Sequence, residues 1–282
     1  MSQPSHHPHL EPHDDFGGLA RDLRVLLERR RALGWMAGAL LASCGGGGGS
    51  DSASTSSSTS STTSSSTASS CSVIPTETEG PYPGDGSNTV DGSIANALTL
   101  AGIVHSDIRT SVAPASATAT GVPLTLTLKL VSTGNACAAL SGYAIYVWHC
   151  DAQGRYSLYS SGVTGENYLR GVQVTASDGT VSFTTIFPGC YAGRVPHIHF
   201  EIYANTAAAT SYVNKLKTSQ LALPLATCAT VYASGGYGNS AANLATESFA
   251  TDMVFSDGVS QQLATLTGSV AAGYAASLTI GI

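Results

Sequence analysis

Between residues 124 and 130 apolar and polar side chains alternate without a break, Leu124, Leu126, Leu128 and Leu130 against Thr125, Thr127 and Lys129. A period of two puts the leucines on one face of a β-strand and the polar residues on the other. Runs rich in β-branched and aromatic residues at 143–149, 171–175, 180–187 and 197–203 read as further strands. Turn signals separate them: Asp151-Ala152-Gln153-Gly154, Ser177-Asp178-Gly179 and Pro188-Gly189. Short strands at this spacing, without amphipathic helices between them, predict an all-β fold, a β-sandwich or a barrel and not a parallel α/β sheet. One helix is expected at 211–217, with further strands at 253–255 and 276–280.

The chain has 282 residues, of which 43% are hydrophobic, and a mean hydropathy of +0.12. It can therefore bury a core, which excludes wholesale disorder. No apolar run reaches the ~18 residues of a membrane-crossing helix. Charged residues make up 11% and net charge is −6, so the basic stripe of a nucleic-acid binder is missing. Residues 1–43 carry five basic and five acidic groups, so all of the excess negative charge lies beyond them.

The first 44 residues read as an address. Arg29-Arg30-Arg31 precedes an apolar stretch at 32–42 and then Leu41-Ala42-Ser43-Cys44, the order of a bacterial lipoprotein export signal. Arg30-Arg31-Ala32-Leu33 also resembles a twin-arginine signal. Cys44 is the expected lipidation site, and a lipid anchor the only expected contact with a membrane. That predicts an exported protein facing the periplasm or the exterior. His6, His7, His9 and His13 lie upstream of the expected cleavage point and read as a solvated tail. Five glycines follow Cys44, and 18 of the 21 residues at 50–70 are Ser or Thr, a flexible spacer with nothing to bury. The folded domain is expected at 71–282. With Cys44 assigned to lipid, Cys71, Cys137, Cys150, Cys190 and Cys228 predict two disulfides and one free thiol, the pairing left open.

Chemistry concentrates at Arg194-Val195-Pro196-His197-Ile198-His199-Phe200. In a strand His197 and His199 share a face, while Ile198, Phe200 and Ile202 turn to the core. Their Cα atoms are then roughly 6.5–7 Å apart, close enough for two imidazoles to meet on one metal ion. The pair alone does not select the metal. A zinc hydrolase needs a third His or a carboxylate, and a ferrous facial triad needs a carboxylate where His199 stands. Tyrosine is a third route, because phenolate favours Fe(III). Tyr191 and Tyr156 both sit where a loop meets a strand.

Five ordered blocks carry a family resemblance. They are Thr78-Glu79-Gly80-Pro81-Tyr82-Pro83, Ser106-Asp107-Ile108-Arg109, Val147-Trp148-His149-Cys150-Asp151-Ala152-Gln153-Gly154-Arg155-Tyr156-Ser157, Tyr168-Leu169-Arg170-Gly171 and the Arg194–Phe200 segment. Together they resemble the intradiol ring-cleavage dioxygenases, the group of catechol 1,2- and protocatechuate 3,4-dioxygenases. The resemblance implies a sandwich holding one Fe(III) by Tyr156, Tyr191, His197 and His199. Tyr159 is the less well placed alternative to Tyr156. It further implies Arg194 as the residue that offsets substrate charge, Tyr191 as a displaceable internal base, and Tyr82 as pocket lining. The implied substrates are a small aromatic diol and O2, and the implied product is a muconate-type diacid. A surface-anchored binding sandwich with a structural or relic metal site is the competing reading.

Overall fold

The computed structural model describes residues 71–282, so the export signal, Cys44 and the 45–70 spacer lie outside the described residues. A hairpin of β1 (Asp85–Val90) and β2 (Ser93–Asn96) precedes two sheets. The first sheet is ordered β10 (Thr265–Ser269), β11 (Gly273–Gly281), β3 (Pro123–Ser132), with both β7 (Thr180–Ile186) and the two-residue β4 (Ala138–Ala139) pairing to β3. The second is ordered β6 (Arg170–Val174), β5 (Ala144–Trp148), β8 (His197–Tyr203), β9 (Lys215–Ala222). Within the two sheets every pairing is antiparallel except β3 with β11. The all-β expectation holds.

Alternation explains the core. Leu124, Leu126, Leu128 and Leu130 of β3 are each at most 1% exposed. They share one cluster with Val181 and Phe183 of β7, Ile145 and Val147 of β5, and Ile198, Phe200 and Ile202 of β8. Each buried leucine contributes about 2 kcal/mol of transfer free energy. The second sheet is covered on its other face too. There Tyr146, Trp148 and Tyr203 pack with Ala97, Leu98, Ile103 and Tyr156, so β8 is buried at all seven positions. Polar groups on that outer face of β8 are enclosed, and the site grows from them.

Three local expectations change. Residues 211–217 form a short 3-10 turn, Tyr212–Asn214, and then enter β9. The open edge of β8 needs partners for its backbone groups, and pairing from His197↔Ala222 to Tyr203↔Lys215 outweighs local helix preference. The expected strand at 253–255 is a turn. The backbone N–H groups of Val254 and Phe255 donate to the Asp252 side chain at 2.9 and 3.2 Å, which removes them from any ladder. Helices instead occur at α1 (Leu225–Ala233) and α2 (Ser240–Leu244), in alanine-rich sequence that favours them. The strand expected at 276–280 lies inside β11.

The cysteine expectation is also corrected. Cys71–Cys137 is the one disulfide among the described residues, and Cys150, Cys190 and Cys228 are buried free thiols. Cys150 and Cys190 point their sulfurs at the Gly189 and Arg194 carbonyls, at 3.5 and 3.4 Å. Burial pushes the Cys190 thiol up to about 12, so it stays protonated. Among the described residues no helix is long and apolar enough to cross a membrane.

Candidate metal centre

Strand period places His197 and His199 on the enclosed face of β8, and their Nε2 atoms stand 3.0 Å apart. His197 Nδ1 lies 2.7 Å from the Val195 carbonyl. A carbonyl only accepts, so Nδ1 carries the proton and Nε2 presents a lone pair. Across the β5–β8 register Trp148 faces His199. Its ring stacks on the imidazole at 4.8 Å and 7°, and Tyr146 stacks behind it at 5.0 Å.

Two loops bring in the tyrosines. Asp151 Oδ1 accepts from the N–H groups of Gln153 and Arg155 at 2.9 and 3.0 Å, closing the 151–154 turn that delivers Tyr156. A Cβ on Gly154 would stand 3.2 Å from Tyr191 Cβ, and one on Gly189 would stand 2.8 Å from the Asp151 and Ala152 carbonyls. Both positions need glycine for the loops to touch. The contact leaves Tyr191 Oη 3.1 Å and Tyr156 Oη 3.5 Å from His197 Nε2. Tyr159 is elsewhere: its hydroxyl donates to Asn88 Oδ1 at 2.7 Å and accepts from the Gly84 N–H at 2.8 Å. Tyr82 lies beside Tyr156, ring centroids 4.9 Å apart, and forms part of the wall. All four expected donors and the expected wall residue are therefore together.

The donor set fits a metal ion. His197 Nε2 has one lone pair, yet two hydroxyls and a second imidazole converge on it. Burial drives both phenol pKa values up and both imidazole pKa values down. Four neutral donors thus converge on one point, an arrangement suited to a small positive ion. Among the described residues no group of three or more His, Cys, Asp or Glu could hold a metal. Here two of the donors are phenols.

Arg194 sits beside this centre and is 5% exposed, so it is no surface ion pair. Its Nε donates to Asp252 Oδ2 at 3.0 Å and one terminal nitrogen donates to Gln220 Oε1 at 2.7 Å. Burial would raise the Asp252 pKa, but the guanidinium holds it below the usual carboxylate value. Gln220 stands opposite His199 in the β8–β9 register. Sequence reasoning missed it, because no strand was expected directly after the helix at 211–217. Asp252, in an Ala/Ser/Gly-rich tail, carries no motif. Arg170 braces the wall, donating to the Tyr82, Pro83 and Ser157 carbonyls at 3.0, 2.8 and 2.9 Å.

Residues 104–220 match the family model described as Dioxygenase. The chain is similar to an intradiol ring-cleavage dioxygenase from Tetranychus urticae. Identity is 25% and the TM-score 0.55, over 75% of this chain and 95% of that one. A second dioxygenase crystal structure is also 25% identical, with a TM-score of 0.56 over 75% and 94%. No curated protein matches.

Proposed function

From the premise that this chain is a member of the intradiol ring-cleavage dioxygenases, we propose that it opens a catechol-type ring between the two hydroxyl-bearing carbons. O2 is the oxidant and a muconate-type diacid the product. We further propose that Tyr156, Tyr191, His197 and His199 hold one ferric ion. The observation that carries the reading is the convergence of two phenol oxygens and His199 Nε2 within 3.5 Å of His197 Nε2. When bound, ferric iron would supply Lewis acidity toward the diol and redox contact between the ring and O2.

The chain's own residues do the rest. The Val195 carbonyl keeps His197 in the tautomer that offers Nε2, and Trp148 holds the plane of His199. Tyr191 is the less buried phenol, and its oxygen is the one assigned to take a proton from the incoming diol. Burial raises its proton affinity, which favours that transfer once the oxygen is free. Tyr82 packs against the ring of the diol, and Arg194 offsets negative charge that develops on it. The N-terminal reading joins this proposal: export, Cys44 lipidation and a spacer would hold the domain off a membrane surface. Mass spectrometry of the mature N-terminus tests that part, and an unmodified Met1 overturns it.

Reconstituting the purified chain with ferric salt tests the centre. Two phenolate donors should give a visible charge-transfer band that moves when catechol is added. O2 uptake should accompany formation of the diacid. A colourless protein that releases a ring-opened semialdehyde, or no product, overturns the reading and leaves the binding-sandwich alternative.

A further inference from the structure

We propose that Asp252 is the positioning residue of the centre. It sets the direction of the Arg194 guanidinium and, through the backbone of Val195, the tautomer of His197. The proposal rests on the ring-cleavage reading, because Arg194 matters to rate only if charge develops on a bound diol. Asp252 lies beyond the 104–220 segment that matches the family model.

Asp252 is fully buried, and each carboxylate oxygen accepts two hydrogen bonds. Oδ1 takes the N–H groups of Val254 and Phe255, so the carboxylate plane is set by its own turn. Oδ2 takes Arg194 Nε at 3.0 Å and the Val195 N–H at 2.9 Å. The second fixed nitrogen of Arg194 is held by Gln220, whose amide in turn donates to the Thr78 carbonyl at 3.0 Å. A guanidinium is planar, so two anchored nitrogens dictate where the third points. That third nitrogen has no protein partner among the described residues and is the one available to a substrate oxygen. The Phe255 ring, 5.9 Å from the guanidinium carbon, backs the group.

The same carboxylate reaches His197. Asp252 holds Val195 by its N–H, Pro196 stiffens the next peptide, and the Val195 carbonyl receives the His197 Nδ1 proton. One buried acid therefore steadies the charge-offsetting group and one donor of the metal centre. No hydrogen bond links it to the four donors; apart from its charge, which reaches His197 and Tyr191 through space, its hold on the centre passes through residues 194–197.

The test uses Asp252→Asn, Arg194→Met and the double variant of the whole chain. In the iron-loaded protein Arg194→Met should lower kcat for catechol about 10²–10³-fold. Asp252→Asn should lower kcat about 10²-fold with KM nearly unchanged. The double variant should be no slower than Arg194→Met alone, because bound iron itself holds His197 in the tautomer that offers Nε2 and leaves the arginine as the main route from Asp252 to turnover; losses that multiply overturn the proposal. The metal-free chain supplies a readout independent of turnover. Its Arg194 Nε–H should exchange slowly with solvent, and His197 should show a single Nδ1–H tautomer in nitrogen-15 spectra. Asp252→Asn should lose both signatures. Should that variant fail to fold, the wild-type spectra decide: rapid Nε–H exchange or mixed tautomers overturn the proposal. A wild-type chain with both signatures but no catechol cleavage overturns the ring-cleavage reading and leaves the Asp252 contacts standing.

Discussion

Replacing Arg170 by Met removes a guanidinium and keeps most of its apolar stem. Arg170 is 1% exposed and donates to five oxygens, none of them a carboxylate. Three are the carbonyls of Tyr82, Pro83 and Ser157, and two are the hydroxyls of Ser157 and Tyr146. Without the guanidinium the Tyr82 and Ser157 carbonyls lose this donor, at about 1–3 kcal/mol each, while the Pro83 carbonyl keeps the Tyr146 hydroxyl at 2.9 Å. The Ser157 and Tyr146 hydroxyls also lose a charged donor, at about 1.5–3 kcal/mol each, and releasing a buried charge returns several kcal/mol of desolvation, so a net loss of about 4 kcal/mol is expected. For a domain of this size each kcal/mol moves Tm by roughly 2–4 °C, which gives a fall of about 10 °C. Urea unfolding and calorimetry measure both. The brace joins the Tyr82 wall to the segment that carries Tyr156, so KM for catechol should rise while iron content holds. A loss under about 1 kcal/mol, within the range of an ordinary surface change, would refute the reasoning.

Tyr156→Phe and Tyr191→Phe should each bleach or shift the visible band of the ferric protein, since each removes one phenol oxygen from the cluster at His197. An unchanged spectrum rejects that donor. His149 is buried and held below its usual pKa, at about 4, chiefly by burial. A depressed base stabilises the fold above its unfolded pKa of 6.5 and loses that contribution as pH falls through about 4. The shift is equivalent to about 3 kcal/mol, so His149→Gln should flatten the fall in unfolding free energy between pH 7 and pH 4. Parallel curves for the two proteins would sink this account. Cys71→Ser opens a loop of 66 residues and should cost about 4 kcal/mol by chain entropy, read as a lower urea midpoint.

The sandwich was legible because its signal is local. Leucine alternation at 124–130 and the 197–203 run each state a face without reference to the rest of the chain. The same period made His197 and His199 a pair. Their partnership with Tyr156 and Tyr191 needed the family resemblance, since the contact depends on Gly154 and Gly189 meeting across two loops. What stayed hidden depends on distant pairing. Residues 215–222 become a strand because β8 has an edge to fill. Val254 and Phe255 look like strand residues but bury against Val195 and Ala222, while Asp252 consumes their N–H groups. The cysteines followed the same rule: Cys71 and Cys137 meet only because the segment 71–74 runs beside the end of β3 and of β11, where Ile74 N–H reaches the Gly281 carbonyl and Thr133 N–H the Ile282 carbonyl.

Two tasks in this centre draw on different parts of the chain. The four donors that converge at His197, proposed to hold the metal, come from β8 and two flanking loops, all inside or near one sheet. Arg194, proposed to offset substrate charge, is held by Gln220 on β9 and by Asp252 in the tail. The substrate wall hangs on Arg170 of β6 through the Tyr82 and Pro83 carbonyls, and Gln220 ties the same N-terminal segment down at Thr78. Gln220 is the joint between these systems, because it pairs with His199 along the strand and holds both Arg194 and Thr78 with its side chain. Changes in the tail or the N-terminal segment can therefore retune substrate fit and charge stabilisation while the donors stay in place.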